Sequence, residues 1–203
     1  MGGSGVMRAI GVAVLGVAAC IVATAAAGDG IPAPREVSAT CQSCHGAGGN
    51  SANGDVPRLN GQQSAYLINR FHDFLDLTRS DPHAIKTMWG IVSNTNPAAF
   101  SEVAGYYASQ TPTPAGTGAA HAVEGRALFL HGAQGVPACS ACHGPDGEGS
   151  GTVPRLAGQH AKYLSDQLAR LQLGLRETGT MHPVLRSISD AQIKALVAYL
   201  AKD

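Results

Sequence analysis

The chain has 203 residues, with 14 Lys and Arg against 14 Asp and Glu, so it carries no formal net charge. That balance argues against an electrostatic nucleic-acid binder and against attraction to a strongly charged surface. Aromatic residues make up only 5%, and two domains cut from this length have thin cores unless something other than side chains fills their centres.

Ala9 to Ala27 is an uncharged run of small and aliphatic residues behind a single charge, Arg8. Ala23-Thr24-Ala25 has the A-x-A form of a cleavage site, so residues 1–27 read as an export signal cut near 25–27. Two readings compete with cleavage. The run is 19 residues, just long enough to span a bilayer if it is kept. Val17-Ala18-Ala19-Cys20 also resembles a lipoprotein box that would leave Cys20 lipidated, although the residues after it stay apolar. The expected product is periplasmic, with a membrane-tethered form as the alternative.

Arg35 to Thr40 reads as a short helical approach to Cys41-Gln42-Ser43-Cys44-His45. The pentapeptide recurs 98 residues later as Cys139-Ser140-Ala141-Cys142-His143. C-x-x-C-H is the attachment signature of c-type haem. Two residues between the cysteines put both sulfurs on one side of a helical turn, where they add across the haem vinyl groups. The next residue then presents an imidazole to the iron. A zinc knuckle would want a second Cys pair in each half, and a redox dithiol would want a βαβ context. Neither is present. The expectation is two covalently bound haem c groups, held by Cys41 and Cys44 and by Cys139 and Cys142, with His45 and His143 as iron ligands. Cys20 is the only other cysteine, which leaves none in the body for a structural disulfide.

A glycine- and asparagine-rich loop, 46–54, leads to Val56-Pro57-Arg58-Leu59-Asn60-Gly61-Gln62-Gln63-Ser64-Ala65-Tyr66-Leu67. Eight of these twelve residues recur, in register, in 153–164. The offset is 97, a repeat at domain scale. Helical spacing follows over 62–77 and 159–175, and closing helices are expected over 97–110 and 190–202, the last with Asp190 as N-cap. Thr111 to Gly118 is a Pro/Gly/Thr strap, followed by a helix over 119–130 in which Gly125 and Phe129 leave a packing notch and an aromatic face. The organisation is a first domain at 28–110, a linker at 111–118 and a second domain at 119–203. The fold class is all-α, two tandem small cytochrome c domains each wrapped around its haem.

Beyond the export segment only Met88 and Met181 remain as methionines, one after each motif. An offset of 93 pairs them and also pairs Tyr106 with Tyr199. Each is expected in an irregular stretch before the last helix of its half, as the sixth iron ligand. Core-filling Met is the alternative. Bis-His ligation is another, but His72, His83, His121, His131, His160 and His182 share no register and read as surface or supporting residues. A thioether raises the potential relative to a second imidazole, and a doubly ligated iron favours electron transfer over catalysis at the metal. The Pro57 and Pro154 carbonyls are candidates to accept the other N–H of the ligand histidines. Arg58, Arg155, Gln62, Gln159, Tyr66 and Tyr163 are candidates for haem-propionate contacts or for the domain interface.

On these residues the sequence resembles the cytochrome c4 family of dihaem cytochromes. The resemblance rests on the two C-x-x-C-H-G motifs, the repeated Pro-Arg-Leu-x-Gly-Gln-x-x-x-Tyr-Leu block, one late Met per half, and Gly105 to Gln110 closing the first half. It implies two small helical domains related by a pseudo-twofold axis. It also implies a non-enzymatic periplasmic carrier that takes electrons from a quinol–cytochrome c reductase or a dehydrogenase and delivers them to a terminal oxidase, with loose membrane association as a further expectation. The cytochrome subunit of flavocytochrome c sulfide dehydrogenases has a similar plan, so a dihaem subunit of a periplasmic dehydrogenase is the alternative.

Overall fold

The first half opens with a π-helical turn, Val37–Cys41, that runs directly into α1 (Gln42–His45). A loop carries the chain to α2 (Ser64–Leu75). A second π-helical turn, Ala84–Trp89, continues into α3 (Gly90–Ser93), and a 3-10 turn, Pro97–Ala99, starts α4 (Phe100–Ala108). The second half contributes α5 (Ala122–His131), α6 (Ser140–His143), α7 (Ala161–Gln172), α8 (Met181–Leu185) and α9 (Asp190–Leu200). The computed structural model describes residues 1–3, 32–79, 81–82, 84–116, 120–176 and 179–202. The export segment with Cys20, His83, and residues 117–118 of the expected linker lie outside the described residues. Among those described, no strand forms beyond two isolated antiparallel bridges, Ala133 with Val136 and Ser150 with Val153. No described helix is long and apolar enough to cross a membrane.

The second half has one continuous core. Phe129, Leu164, Leu171, Leu185, Leu196 and Leu200 belong to it, and Cys139 and Met181 pack on its edge. Its frame is the crossing of α5 and α9. A Cβ at Gly125 would lie 1.9 Å from the Ala195 carbonyl oxygen, so only glycine lets the two backbones approach this closely. Phe129 is fully buried beside the crossing, with its ring 5.5 Å from that of Tyr199.

The first half divides its core in two. Val37, Leu67, Val103, Ala104, Tyr106 and Tyr107 form one part, with Cys41 at its edge. Phe74, Val92 and Phe100 form the other, with Met88 at its edge. Phe71 packs against both parts and stacks on Phe100 at 4.6 Å.

Several boundaries differ from the sequence pattern. Helix α2 starts after Gln62 and Gln63 because those side chains reach across to the other half. It ends at Leu75, shortly before Leu77 turns to φ 55°. Helix α9 is capped by Ser189, not Asp190. The Ser189 hydroxyl accepts from the Gln192 backbone N–H while the Gln192 side chain accepts from the Ser189 backbone, a capping box that places Asp190 in the first turn. Neither methionine lies in irregular chain. Met88 is inside the Ala84–Trp89 turn and Met181 begins α8. Pro183, which reads as a helix breaker, sits in the first turn of α8, where a backbone N–H has no helical partner to lose.

Candidate functional site

In each half the attachment motif is wound as helix, so the two cysteines lie one turn apart. Cys41 and Cys139 are half-buried, while Cys44 and Cys142 are exposed. Burial pushes the Cys41 and Cys139 thiols above their usual value, which keeps them protonated before they react. His45 and His143 close the motifs and are buried. His45 Nδ1 donates to the Pro57 carbonyl at 2.8 Å, and His143 Nδ1 donates to the Pro154 carbonyl at 2.9 Å. Burial lowers both imidazoles, outweighing the hydrogen bond to the proline carbonyl. Each ring is therefore neutral, its proton sits on Nδ1, and Nε2 carries the free lone pair that a metal needs.

Met88 and Met181 are both half-buried. Met181 shares one core with Cys139. Met88 and Cys41 lie in separate clusters joined through Phe71. Among the described residues no group of three or more His, Cys, Asp and Glu comes together to hold a bare ion. The donors offered in each half are instead one imidazole, one thioether and a pair of thiols, a set suited to iron in a covalently attached porphyrin.

The repeated block lies at the seam between the halves, and its hydrogen bonds are reciprocal. Gln62 Nε2 donates to the Arg155 carbonyl while Gln62 Oε1 accepts from the Arg155 backbone N–H, at 3.0 and 2.7 Å. Gln159 does the same to Arg58, at 3.0 and 2.9 Å. The Arg58 guanidinium donates to the carbonyls of Gly158 and Lys202, and that of Arg155 to the carbonyls of Ala157 and Thr113. These six atoms of backbone and amide explain why Gln62 and Gln159 are buried without charge. The strap joins in. Asn60 Nδ2 donates to the Thr111 carbonyl, and the Gly116 N–H donates to the Ala201 carbonyl at 2.7 Å.

His160 corrects the surface reading of the additional histidines. It is buried, and its Nε2 donates to the Ser51 carbonyl of the other half at 2.9 Å. Its counterpart at an offset of 97, Gln63, reaches the Glu148 and Gly149 carbonyls in the same way. His72, His121 and His131 are exposed, and half-buried His182 donates to the Leu171 carbonyl.

Deeper in the seam lies a cluster that motif reading misses. Arg176 donates to the Tyr66 hydroxyl at 2.9 Å and to Gln167 Oε1 at 2.7 Å. Arg79 donates to the Tyr163 hydroxyl at 3.5 Å, to Gln167 Oε1 at 3.3 Å and to Asp81 at 3.2 Å. Each arginine thus reaches a tyrosine of the opposite half. The signal was available, since Arg79 and Arg176 are also 97 apart. They fall outside the identical block, between residues that do not match. Burial alone would raise the Tyr66 phenol, but Arg176, Arg79 and Arg70 hold it below its ordinary value. Arg70, Arg79, Arg170 and Arg176 face only Asp73 and Asp81 here. Arg70 Nε and Arg176 Nε are buried with no partner. Surplus buried positive charge calls for anions, and the propionate carboxylates of haem fit that requirement.

The sequence profile of the Cytochrome c family matches residues 122–202. A cytochrome c4 of Pseudomonas aeruginosa is 36% identical over 86% of this chain and 89% of its own length. A thiosulfate dehydrogenase electron acceptor of Thiomonas intermedia is 39% identical over 83% of this chain and 80% of its own. The solved structure of Acidithiobacillus ferrooxidans cytochrome c4 superposes with a TM-score of 0.74 at 36% identity, covering 79% of this chain and 96% of that one.

Proposed function

The chain belongs to the cytochrome c4 family of dihaem cytochromes c, and we propose that it is an exported periplasmic carrier between quinol-oxidising complexes and a terminal oxidase. It is an electron-transfer protein with two covalently bound haem c groups. When bound, haem supplies a one-electron Fe(III)/Fe(II) couple, and the chain supplies attachment, ligation and electrostatics.

In this reading Cys41, Cys44, Cys139 and Cys142 hold the two groups as thioethers. His45 and His143 ligate through Nε2, oriented by the Pro57 and Pro154 carbonyls, and Met88 and Met181 complete the two sites. Gln62, Gln159, Arg58 and Arg155 fix the spacing of the halves. Tyr66 and Tyr163, with the arginines they meet, stabilise carboxylates brought to the seam. The domains run over 28–110 and 119–203, joined by 111–118 after an export signal at 1–27.

The observation that carries this reading is the reciprocal Gln62 and Gln159 seam. It holds two equivalent neutral-histidine sites in one rigid relation, which suits passing electrons from one site to the next. The test is reconstitution. Oxidised protein should be reduced by a quinol–cytochrome c reductase and reoxidised by a terminal oxidase, followed at the haem α-band. Failure of the reductase to reduce it would overturn the proposal. The resemblance to the Thiomonas electron acceptor favours a second reading, service to a periplasmic sulfur-compound dehydrogenase. Faster reduction by such an enzyme than by the reductase would select it.

A further inference from the structure

Two residues hold the same place in the two halves but differ in chemistry. The Tyr107 carbonyl accepts from the Gly61 N–H at 2.9 Å, and the Leu200 carbonyl accepts from the Gly158 N–H at 2.8 Å. A Cβ on Gly49 would meet the Tyr107 ring at 2.7 Å, and one on Gly147 would meet Leu200 Cδ2 at 3.2 Å. Gly49 and Gly147 in turn accept from the N–H groups of Leu59 and Leu156, both at 2.8 Å. Tyr107 and Leu200 are therefore structural counterparts, and only the first carries a hydroxyl.

That hydroxyl is in an unusual position. Tyr107 is 1% exposed, and its oxygen is buried with no oxygen or nitrogen partner. An orphaned buried hydroxyl costs about 1–3 kcal/mol. Its polar neighbour is the Cys41 sulfur. Burial, and after it Cys41, pushes the phenol above its ordinary value, so the group stays a donor. Once Cys41 is a thioether its sulfur has no proton and can only accept. Tyr107 then has one role left, donating to that sulfur.

We propose that Tyr107 is a positioning residue for the first haem: its hydroxyl donates to the Cys41 sulfur and raises the potential of that haem, an effect absent at Cys139 where Leu200 stands. The positive end of the O–H dipole faces the attachment bond in a water-poor core, which favours the reduced state. The pseudo-twofold repeat is thereby made unequal at one atom, giving electrons a preferred half. The inference rests on Cys41 being a haem-attaching residue.

The test is an optical redox titration of the intact dihaem protein alongside Tyr107→Phe and Tyr107→Leu, the latter copying the second half, with haem content measured by mass. Both variants should retain two haems. At a fixed ambient potential the reduced-to-oxidised ratio of one haem should fall about three- to tenfold, the size of one modest hydrogen bond, while the other stays put. Two retained haems with neither potential moved, even if the thermal midpoint falls, would overturn the inference and reduce Tyr107 to a core filler. Wild-type protein with no haem on Cys41 would overturn the functional reading itself.

Discussion

The two halves agree where they meet and differ where they face away from each other. At the seam, Gln62 mirrors Gln159, Arg79 mirrors Arg176 and Tyr66 mirrors Tyr163, each with its partner in the opposite half. Away from it, the second half has one core framed by the α5 and α9 crossing at Gly125, whereas the first half has two smaller clusters and no equivalent crossing. The first half also winds both of its candidate ligand regions, around Cys41 and around Met88, as π-helical turns. Such turns occur often at functional sites. A duplicated chain is held to its repeat by contacts each copy makes with the other. Contacts made within one copy drift independently, because nothing in the partner has to match them.

The largest break in this comparison comes from the attachment cysteines. Replacing Cys142 by Ser should remove the second haem and leave the first, halving haem per chain by mass and pyridine haemochrome, and Cys41→Ser should do the reverse. Loss of both from either single change would mean the halves do not mature separately. Next come the thioethers. Met88→His and Met181→His should each lower the potential of one haem and leave the other near its original value, read by optical redox titration.

Gly125→Ala drives a methyl into the Ala195 carbonyl. It should destabilise the second half by roughly 1–3 kcal/mol, seen as a lower unfolding midpoint at the second haem. Gln62→Ala and Gln159→Ala should act alike, each leaving two backbone groups unpaired at the seam at about 1–3 kcal/mol. Equal losses support a symmetric seam, and unequal losses break it. The smallest effect is at the surface. Lys162 bridges Asp55 of the other half and Asp166 from an exposed position, and Lys162→Ala should leave the midpoint unchanged.

Much of this was legible in the residues. The haem motifs, the repeat and the pairing of Met88 with Met181 follow from spacing alone, because covalent attachment and helical periodicity are local. The offset of 93 that pairs Tyr106 with Tyr199 also aligns Tyr107 with Leu200, the pair that the two glycine N–H contacts make equivalent. Other features were not readable. Ser189 takes the cap that Asp190 seemed to offer because Gln192 completes a reciprocal pair with it. His160 is buried because a carbonyl from a residue 109 positions away awaits it. The arginines at 79 and 176 look like solvated charges until the other half covers them.

The sequence by itself determined the chemistry of this protein: which side chains attach the cofactor, how many sites there are, and that they are copies. Those facts depend on residues within a turn or two of each other, or on a repeat that can be counted. Only the tertiary structure decided which histidine nitrogen is free, which arginines lose their water, and that a tyrosine hydroxyl stands over the Cys41 sulfur while a leucine fills the same place beside the second site. Those outcomes depend on burial and on contacts between distant segments, where desolvation sets the energy of every polar group and no local pattern records it.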